Sequence, residues 1–184
     1  PRAEQVWHEP VYDCDACFMI GVHAKSGTEH AFYDHTQSSV TWHDYYINGR
    51  KCGEMAQLAA FAGAFDIPVV MVSGDFAACA EAREFFGNIK TACVKYGIGH
   101  TQAECIPDDE AERLIYEAAR SAIGIIKDVR PFRVVLPAEI KVEFNRTDYC
   151  DSYMSRGRKD VERLDGRTVR RIQDKIEKYT DVLM

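Results

Sequence analysis

Several features that would assign the chain to a broad class are missing from the sequence. No apolar run reaches about eighteen residues, so we expect no membrane span. Lys and Arg number 23 against 29 Asp and Glu, a formal net charge of −6, and no basic block interleaves with aromatic residues. That balance excludes a nucleic-acid interface. The first residues lack the charged-then-apolar pattern of a signal peptide, and we therefore expect a cytoplasmic protein.

The cysteines do not indicate a disulfide framework. The sequence contains seven Cys, an odd number that cannot pair completely within one chain. Most of them lie within apolar or helical runs, where Cys behaves as a small buried hydrophobe. Cys14 and Cys17 match the C-x-x-C spacing of redox and zinc sites. Residues three apart on an extended strand point to opposite faces of the sheet, however, which favours an interpretation as strand residues.

Two common signatures of catalysis and cofactor binding are also absent. Ser38 and Ser39 are not framed by the G-x-S-x-G pattern of a serine nucleophile. The segment Gly97-Ile98-Gly99-His100 lacks the third glycine and the following helix start of a dinucleotide-binding loop. Neither a serine hydrolase nor a dinucleotide-binding protein is therefore indicated.

What the sequence does contain is an alternation of strand and helix patterns. Short apolar runs predict strands at residues 15–22, 69–72 and 90–95, and helical spacing predicts helices at residues 53–65, 75–86, 108–127 and 168–182. Residues 140–144 alternate apolar with charged side chains, as a half-exposed or edge strand would. Asn48-Gly49 after a β-branched and aromatic run predicts a β-hairpin near residues 40–52.

This order of elements predicts an α/β fold of three layers, in which a mostly parallel sheet carries helices on both faces. The length fits a single domain, residues 1–184. A doubly wound sheet usually has its first strand near the start, whereas this chain begins in a polar stretch that contains proline. We therefore expect the chain to be part of a longer domain.

Histidine is concentrated where the first predicted strand ends. Of the six His, at positions 8, 23, 30, 35, 43 and 100, four lie between residues 23 and 43. His23 follows the strand at the edge where open α/β sheets bind ligands, and its neutral imidazole could bind zinc. Glu54 at a helix start could add a carboxylate oxygen. The alternatives are a hydrogen-bonded loop histidine and a carboxylate that interacts only with the helix dipole.

His35 lies in a polar loop, residues 28–39, directly after Asp34, which could orient the ring. A histidine at the mouth of a metal site can act as general base, as general acid or as a hydrogen-bond donor to a tetrahedral intermediate. The alternative is a solvated loop histidine. We interpret His30 as loop surface and His43 as a strand residue that faces solvent or a neighbouring subunit.

Several short blocks occur in a specific order along the chain. They are His23, His35, Asn48-Gly49, Gly53-Glu54, Pro68-Val69-Val70-Met71-Val72-Ser73-Gly74-Asp75 and Lys95-Tyr96-Gly97-Ile98, followed by Val142-Glu143-Phe144, Arg146-Thr147-Asp148 and Asp165-Gly166-Arg167. In these blocks the chain resembles the D-aminopeptidase family of dinuclear zinc metallopeptidases. The resemblance covers most of the sequence, which makes it more specific than any single motif.

The resemblance implies that His23 and Glu54 are zinc ligands and that His35 is the catalytic histidine. It implies two Zn²⁺ ions per site, which polarise the substrate carbonyl and lower the pKa of a bound water. The implied reaction is hydrolysis that releases an N-terminal residue, a D-amino acid, from a short peptide or an amino-acid amide. The family's other ligands come from an Asp-x-Glu-Gly strand and a further His upstream of Pro1. We therefore expect the C-terminal two-thirds of a longer metallopeptidase domain.

Family members also form ring-shaped homo-oligomers that enclose their active sites. The resemblance thus implies a homo-oligomer, with a decamer as a candidate size, to which Trp42, Tyr45 and Tyr46 of the hairpin could contribute. The alternative function is a non-catalytic peptide-binding or assembly domain that has lost the complete metal centre. A zinc measurement on the isolated protein distinguishes the two, because only the enzyme needs the metal.

Overall fold

The computed structural model describes residues 13–184, so His8 lies outside the described residues. The described part contains two sheets and four α-helices. In chain order the elements are β1 (Cys17–Val22), β2 (Trp42–Ile47), β3 (Arg50–Cys52), α1 (Glu54–Ala64), β4 (Val69–Asp75), α2 (Phe76–Phe86), β5 (Lys90–Gly99), β6 (Gln102–Cys105), α3 (Asp108–Ile123), β7 (Ala138–Phe144), α4 (Thr147–Met154), β8 (Glu162–Arg163), β9 (Thr168–Gln173) and a 3-10 turn (Tyr179–Asp181).

The first sheet has the strand order β1-β4-β5-β6. Its first three strands are parallel, and β6 runs antiparallel to β5. Met55 of α1 and Ala78 of α2 belong to the core on one face of this sheet, whereas Leu114 of α3 packs into a separate core with Met71. The predicted α/β fold, with a mostly parallel sheet between helical layers, is therefore confirmed.

The second sheet is antiparallel, with the order β3-β2-β7-β9-β8. Helix α1 packs against both sheets, because Ala59 contributes to the core of the first sheet while Ala60 and Phe61 contribute to the core of the second. An apolar surface on most sides of a helix is typical of such a buried position. The first residue of α1, Glu54, is consequently held at the junction of the two sheets.

The hairpin predicted around Asn48-Gly49 is confirmed. Strands β2 and β3 pair with Ile47 opposite Arg50, which leaves a two-residue turn between them. Asn48 and Gly49 both have positive φ, 49° and 77°. Two successive left-handed residues are what a type I′ turn requires, and Asn-Gly is the sequence that tolerates them best. The turn brings the chain back toward the start of α1.

The helix predicted at residues 168–182 is wrong. Residues Thr168–Gln173 instead form β9, which pairs with β7 on one side and β8 on the other, and a 3-10 turn follows. Val169 and Arg171 are buried whereas Ile172 is exposed, which is the two-residue alternation of a strand. The backbone hydrogen bonds offered by two neighbouring strands, which lie elsewhere in the sequence, outweigh the local helical spacing.

Of the two interpretations of residues 140–144, the half-exposed strand is confirmed and the edge strand is wrong. Strand β7 is longer, Ala138–Phe144, and it lies in the middle of the second sheet between β2 and β9. Its alternation arises because Ile140 and Val142 are buried while Glu139 and Glu143 pair with arginines of the outer face. The pattern therefore indicates one solvated face, and it does not indicate an edge.

Boundaries shift in two more elements. Strand β5 extends to Gly99 beyond the predicted residue 95, because β6 pairs with its second half. Helix α3 ends at Ile123 rather than at residue 127, since Gly124 follows and the chain turns there. None of the described helices combines the length and the apolar character needed to cross a bilayer.

Two expectations about surface residues have different outcomes. Tyr45 is fully buried, and its hydroxyl donates to the carbonyl of Val182, so it cannot contribute to a contact between subunits. His43 is exposed on β2, as the sequence predicted.

The seven cysteines, all of which lie in the described part, form no disulfide, and Cys14 and Cys17 are not bridged to each other.

Candidate metal centre

His23 is positioned by the end of β1, which lies at one side of the first sheet among residues 13–184. The backbone N–H of Gly21, which has a φ of 71°, donates to the Ser73 hydroxyl of β4 at 3.0 Å. This contact bends the end of β1, and His23 follows directly. The site therefore lies beyond the carboxyl ends of parallel strands, where the crevices of open α/β sheets bind ligands.

The chain after His23 is held against α2 by a buried carboxylate. Glu81 accepts from the backbone N–H of Lys25 at 2.8 Å and from its ammonium group at 3.4 Å. Burial raises the pKa of Glu81, an effect that the Lys25 contacts oppose. Gly53 packs into the same place, because a Cβ there would lie 2.8 Å from the Cβ of Lys25. This close approach brings the start of α1 beside the His23 segment.

The loop that carries His35 contains three non-glycine residues with positive φ. They are His30, Tyr33 and Gln37, with φ values of 56°, 56° and 61°. Such conformations persist only where surrounding contacts fix them, and they are concentrated at functional sites. Backbone N–H groups of the loop bond to other elements: Phe32 to Asp75, Tyr33 to the His100 carbonyl and Gln37 to Glu54.

His23, His35 and Glu54 converge in one cluster. Each offers one ligand atom, and these atoms all lie within 4.8 Å of one another. The Nε2 atoms of His23 and His35 lie 3.9 Å and 3.6 Å from the same oxygen, Oε1 of Glu54. The two imidazole rings are stacked, with centroids 4.0 Å apart and planes at 18°. No other group of three potential metal ligands occurs among residues 13–184.

Hydrogen bonds fix the orientation of both rings. Nδ1 of His23 lies 3.0 Å from the Ala24 carbonyl, and Nδ1 of His35 lies 2.7 Å from the Tyr33 carbonyl. A carbonyl oxygen only accepts, so each Nδ1 carries the hydrogen. In a neutral imidazole the other nitrogen, Nε2, then has a free lone pair, and in both rings this atom points at Glu54. This is the arrangement that metal-binding histidines adopt.

The donor set fits a zinc ion. Two donors about 2.1 Å from a tetrahedral Zn²⁺ lie about 3.4 Å apart, close to the separations seen here. Imidazole nitrogen and carboxylate oxygen are both zinc ligands, and an ion held by His23 and Glu54 keeps further positions for water, substrate or other donors. His23, His35 and Glu54 keep 23%, 29% and 34% of their side chains exposed, so a small molecule can reach the cluster.

Asp34 does not orient His35, contrary to the interpretation considered from the sequence. Its carboxylate contacts Nδ1 of His100 at 2.8 Å and accepts from the backbone N–H of Gly27 at 2.8 Å. His35 is oriented instead by the main chain of Tyr33. Asp34 thus connects its loop to the β5–β6 turn. The side chains of Asp34 and His35, although adjacent in sequence, have different partners.

Sequence reasoning missed a polar group that contacts Glu54 through the backbone N–H of Gln37. Gln37, Gln57 and Tyr179 are linked by hydrogen bonds there. Burial, and secondarily the nearby Glu54 charge, raise the pKa of Tyr179 to about 12. A glutamine among the apolar residues of α1, one turn beyond Glu54, is the one signal in the sequence that could have found the group. The sequence around Tyr179 contains no pattern that would predict its contact with Gln37 and Gln57.

Asp75 is the main anchor of the His35 loop. It is 1% exposed, and its two oxygens accept from the N–H groups of Ala78 in α2 and Phe32 in the loop, at 2.7 Å and 2.6 Å. We expect Asp75→Ala to lower the free energy of unfolding by about 2–4 kcal/mol, because it removes a helix cap and leaves a loop amide unpaired. Urea denaturation measures this change.

Asp75→Asn provides the graded comparison for this prediction. The single side-chain oxygen of Asn can accept from one of the two backbone N–H groups. We therefore expect a free energy of unfolding between those of the wild type and Asp75→Ala. Equal stability of Asp75→Ala and the wild type would show that the two hydrogen bonds contribute nothing to the fold.

The chain is similar in sequence and in fold to known D-aminopeptidases. Residues 8–184 match the family model described as D-aminopeptidase. A curated D-aminopeptidase from Bacillus subtilis (strain 168) is 33% identical over 126 residues, which cover 68% of this chain and 45% of that protein. The solved structure of the zinc-dependent D-aminopeptidase DppA from Bacillus subtilis, described as a self-compartmentalizing protease, matches with a TM-score of 0.85 and 26% identity. That match covers 94% of this chain and 62% of the other, so the chain spans about half to two-thirds of these relatives.

Proposed function

The chain belongs to the D-aminopeptidase family, and from this premise we propose that it acts as a zinc-dependent aminopeptidase. The proposed substrates are short peptides or amino-acid amides, and the residue released is a D-amino acid. The observation that carries the proposal is the cluster of His23, His35 and Glu54, in which two imidazole nitrogens face one carboxylate oxygen. The relatives named D-aminopeptidase support the substrate class.

Within this proposal the three side chains have different roles. Nε2 of His23 and a carboxylate oxygen of Glu54 would hold zinc, and zinc bound there supplies Lewis-acid activation of a carbonyl and of water. His35 is the proposed catalytic histidine: with Nδ1 held by the Tyr33 carbonyl, its Nε2 takes up or donates a proton at the substrate. Glu54 Oε1 lies 3.6 Å from that nitrogen.

Two extensions of the proposal concern the number of ions and the assembly. We propose two zinc ions per site, which need donors in addition to His23 and Glu54. We also propose a homo-oligomer, since the solved relative is described as self-compartmentalizing. A decamer is one candidate for the size of that oligomer. Light scattering of the purified protein would measure this size.

The direct test is hydrolysis of D-alanine p-nitroanilide and its L-isomer by protein prepared with and without Zn²⁺. We expect turnover of the D-isomer that is lost on chelation and restored by zinc. Zinc binding without turnover of either isomer would contradict the proposed reaction. Failure to bind zinc at all would contradict the metal centre and favour the non-catalytic peptide-binding or assembly domain.

A further inference from the structure

Gln57 is a buried polar residue on an apolar helix. Its side chain is fully buried in α1, one turn beyond Glu54, and its neighbours Met55, Ala56 and Ala59 are buried as well. Its amide nitrogen has no hydrogen-bond partner among the described residues. A buried donor without a partner costs free energy, so an apolar side chain would suit this position better if only packing mattered.

The oxygen of the same amide is used. It accepts from the side-chain amide of Gln37 at 2.8 Å. The backbone N–H of Gln37 in turn donates to Oε1 of Glu54, also at 2.8 Å. Gln37 therefore bridges Gln57 and Glu54, with its side chain bonded to one and its main chain to the other.

Gln37 needs such a restraint. It is an exposed loop residue with a φ of 61°, a conformation that non-glycine residues adopt only where contacts hold them. Without the bond to Gln57 the side chain would be free to turn to water, and the backbone N–H would no longer be fixed toward Glu54. The buried amide thus determines a contact on the very oxygen that faces His23 and His35.

The end of the chain completes the group. The Tyr179 hydroxyl lies 3.5 Å from both the Gln57 oxygen and the Gln37 side-chain nitrogen. Arg171 of β9 donates to the carbonyls of Thr180 and Asp181, at 2.7 Å and 2.6 Å, and so holds the turn that carries Tyr179. The second sheet therefore also supports the polar group behind the metal centre.

We propose that Gln57 is a positioning residue for the zinc ligand Glu54, acting through Gln37, with Tyr179 in a supporting role. The inference rests on the proposed function, since it names what orients the carboxylate of that site. Glu54 Oε1 keeps a second lone pair after accepting from Gln37, so the contact orients the carboxylate without occupying it. Residues that orient metal ligands in this way affect metal affinity strongly although they never touch the ion.

The test compares Gln57→Met with the wild type. Methionine has a similar volume and lacks the acceptor. We expect zinc affinity, measured by competition with a chromophoric chelator, to fall roughly 10–100-fold. We expect the melting temperature to stay equal or rise, because the unpaired nitrogen is removed. A merely structural glutamine would show the opposite, namely reduced stability and unchanged affinity. Gln173, whose side-chain amide donates to the Lys175 carbonyl, provides the control: Gln173→Met should match the wild type.

A second measurement does not depend on zinc. In the metal-free protein, hydrogen exchange of the Gln37 backbone N–H should be at least about tenfold faster in Gln57→Met, because this N–H is no longer held toward Glu54 Oε1. Gln37→Asn tolerates the positive φ but cannot reach Gln57, so the backbone N–H of residue 37 should exchange faster in this variant too. It serves as the test if Gln57→Met folds poorly. Tyr179→Phe should give a smaller increase.

The outcomes separate the two proposals. Unchanged exchange of the backbone N–H of residue 37 in both Gln57→Met and Gln37→Asn would overturn the role of Gln57, whatever reaction the protein catalyses. Normal zinc affinity in those variants would overturn it as well. If exchange responds as expected while the wild type binds no zinc, the network is real and the proposed function fails instead.

Discussion

Replacing Glu54 with alanine should reduce zinc affinity by more than the roughly 10–100-fold that loss of an orienting neighbour costs. The carboxylate is the one charged donor in the cluster, and both histidine Nε2 atoms lie within 3.9 Å of its Oε1. Without it, His23 remains as the single proposed zinc ligand of the cluster, and no negative charge offsets that of the cation. Isothermal titration with Zn²⁺, or metal analysis of the purified variant, measures the effect.

Two variants make this result specific. Glu54→Gln keeps the shape and the acceptor for the Gln37 N–H, so weakened binding in this variant isolates the contribution of the charge. Glu112→Ala removes an exposed carboxylate from α3 and should bind zinc like the wild type. His23→Ala should match Glu54→Ala in metal loss. Retention of full affinity in both Glu54→Ala and His23→Ala would exclude this cluster as the zinc site.

His35→Ala should abolish turnover while zinc content stays the same. A positioned general acid or base contributes about 10²–10⁴-fold to a rate, so we expect kcat to fall by that factor. His23 is held by the Ala24 carbonyl and Glu54 by the backbone N–H of Gln37, so removal of the His35 ring leaves both side chains in place. Steady-state kinetics with D-alanine p-nitroanilide, together with zinc analysis of the same sample, tests the prediction.

The geometry makes this experiment decisive about the role of His35. Its Nε2 lies as close to Glu54 as that of His23 does, so both histidines are placed where a ligand could be. Zinc loss in His35→Ala equal to that in Glu54→Ala would show that His35 is a third ligand and not the catalytic histidine. His43→Ala, an exposed histidine of β2, is the control and should alter neither quantity.

Local patterns in the sequence were sufficient for part of the fold. The hairpin at Asn48-Gly49 and the start of α2 at Asp75 depend on residues within one turn of each other, so short-range rules predict them. The same holds for His23 after its strand and for Glu54 at a helix start. Each prediction used only the backbone preference of a few neighbouring residues.

Other parts depend on contacts between distant segments. Residues 168–173 have a spacing that suits a helix, yet β7 and β8 offer them hydrogen bonds on both sides. Gln57 and Tyr179 meet behind Glu54 although 122 residues separate them. Reasoning from neighbours along the chain cannot recover such pairings, because they are decided by packing of the two sheets around α1.

The proposed metal centre requires one cation shared by His23 and Glu54. X-ray diffraction from crystals of the zinc-loaded protein, with anomalous data collected at the zinc absorption edge, locates that ion directly. We predict a zinc peak about 2.0–2.2 Å from His23 Nε2 and from a carboxylate oxygen of Glu54. A zinc peak that contacts neither side chain, or no peak in this cluster at saturating zinc, would contradict the account.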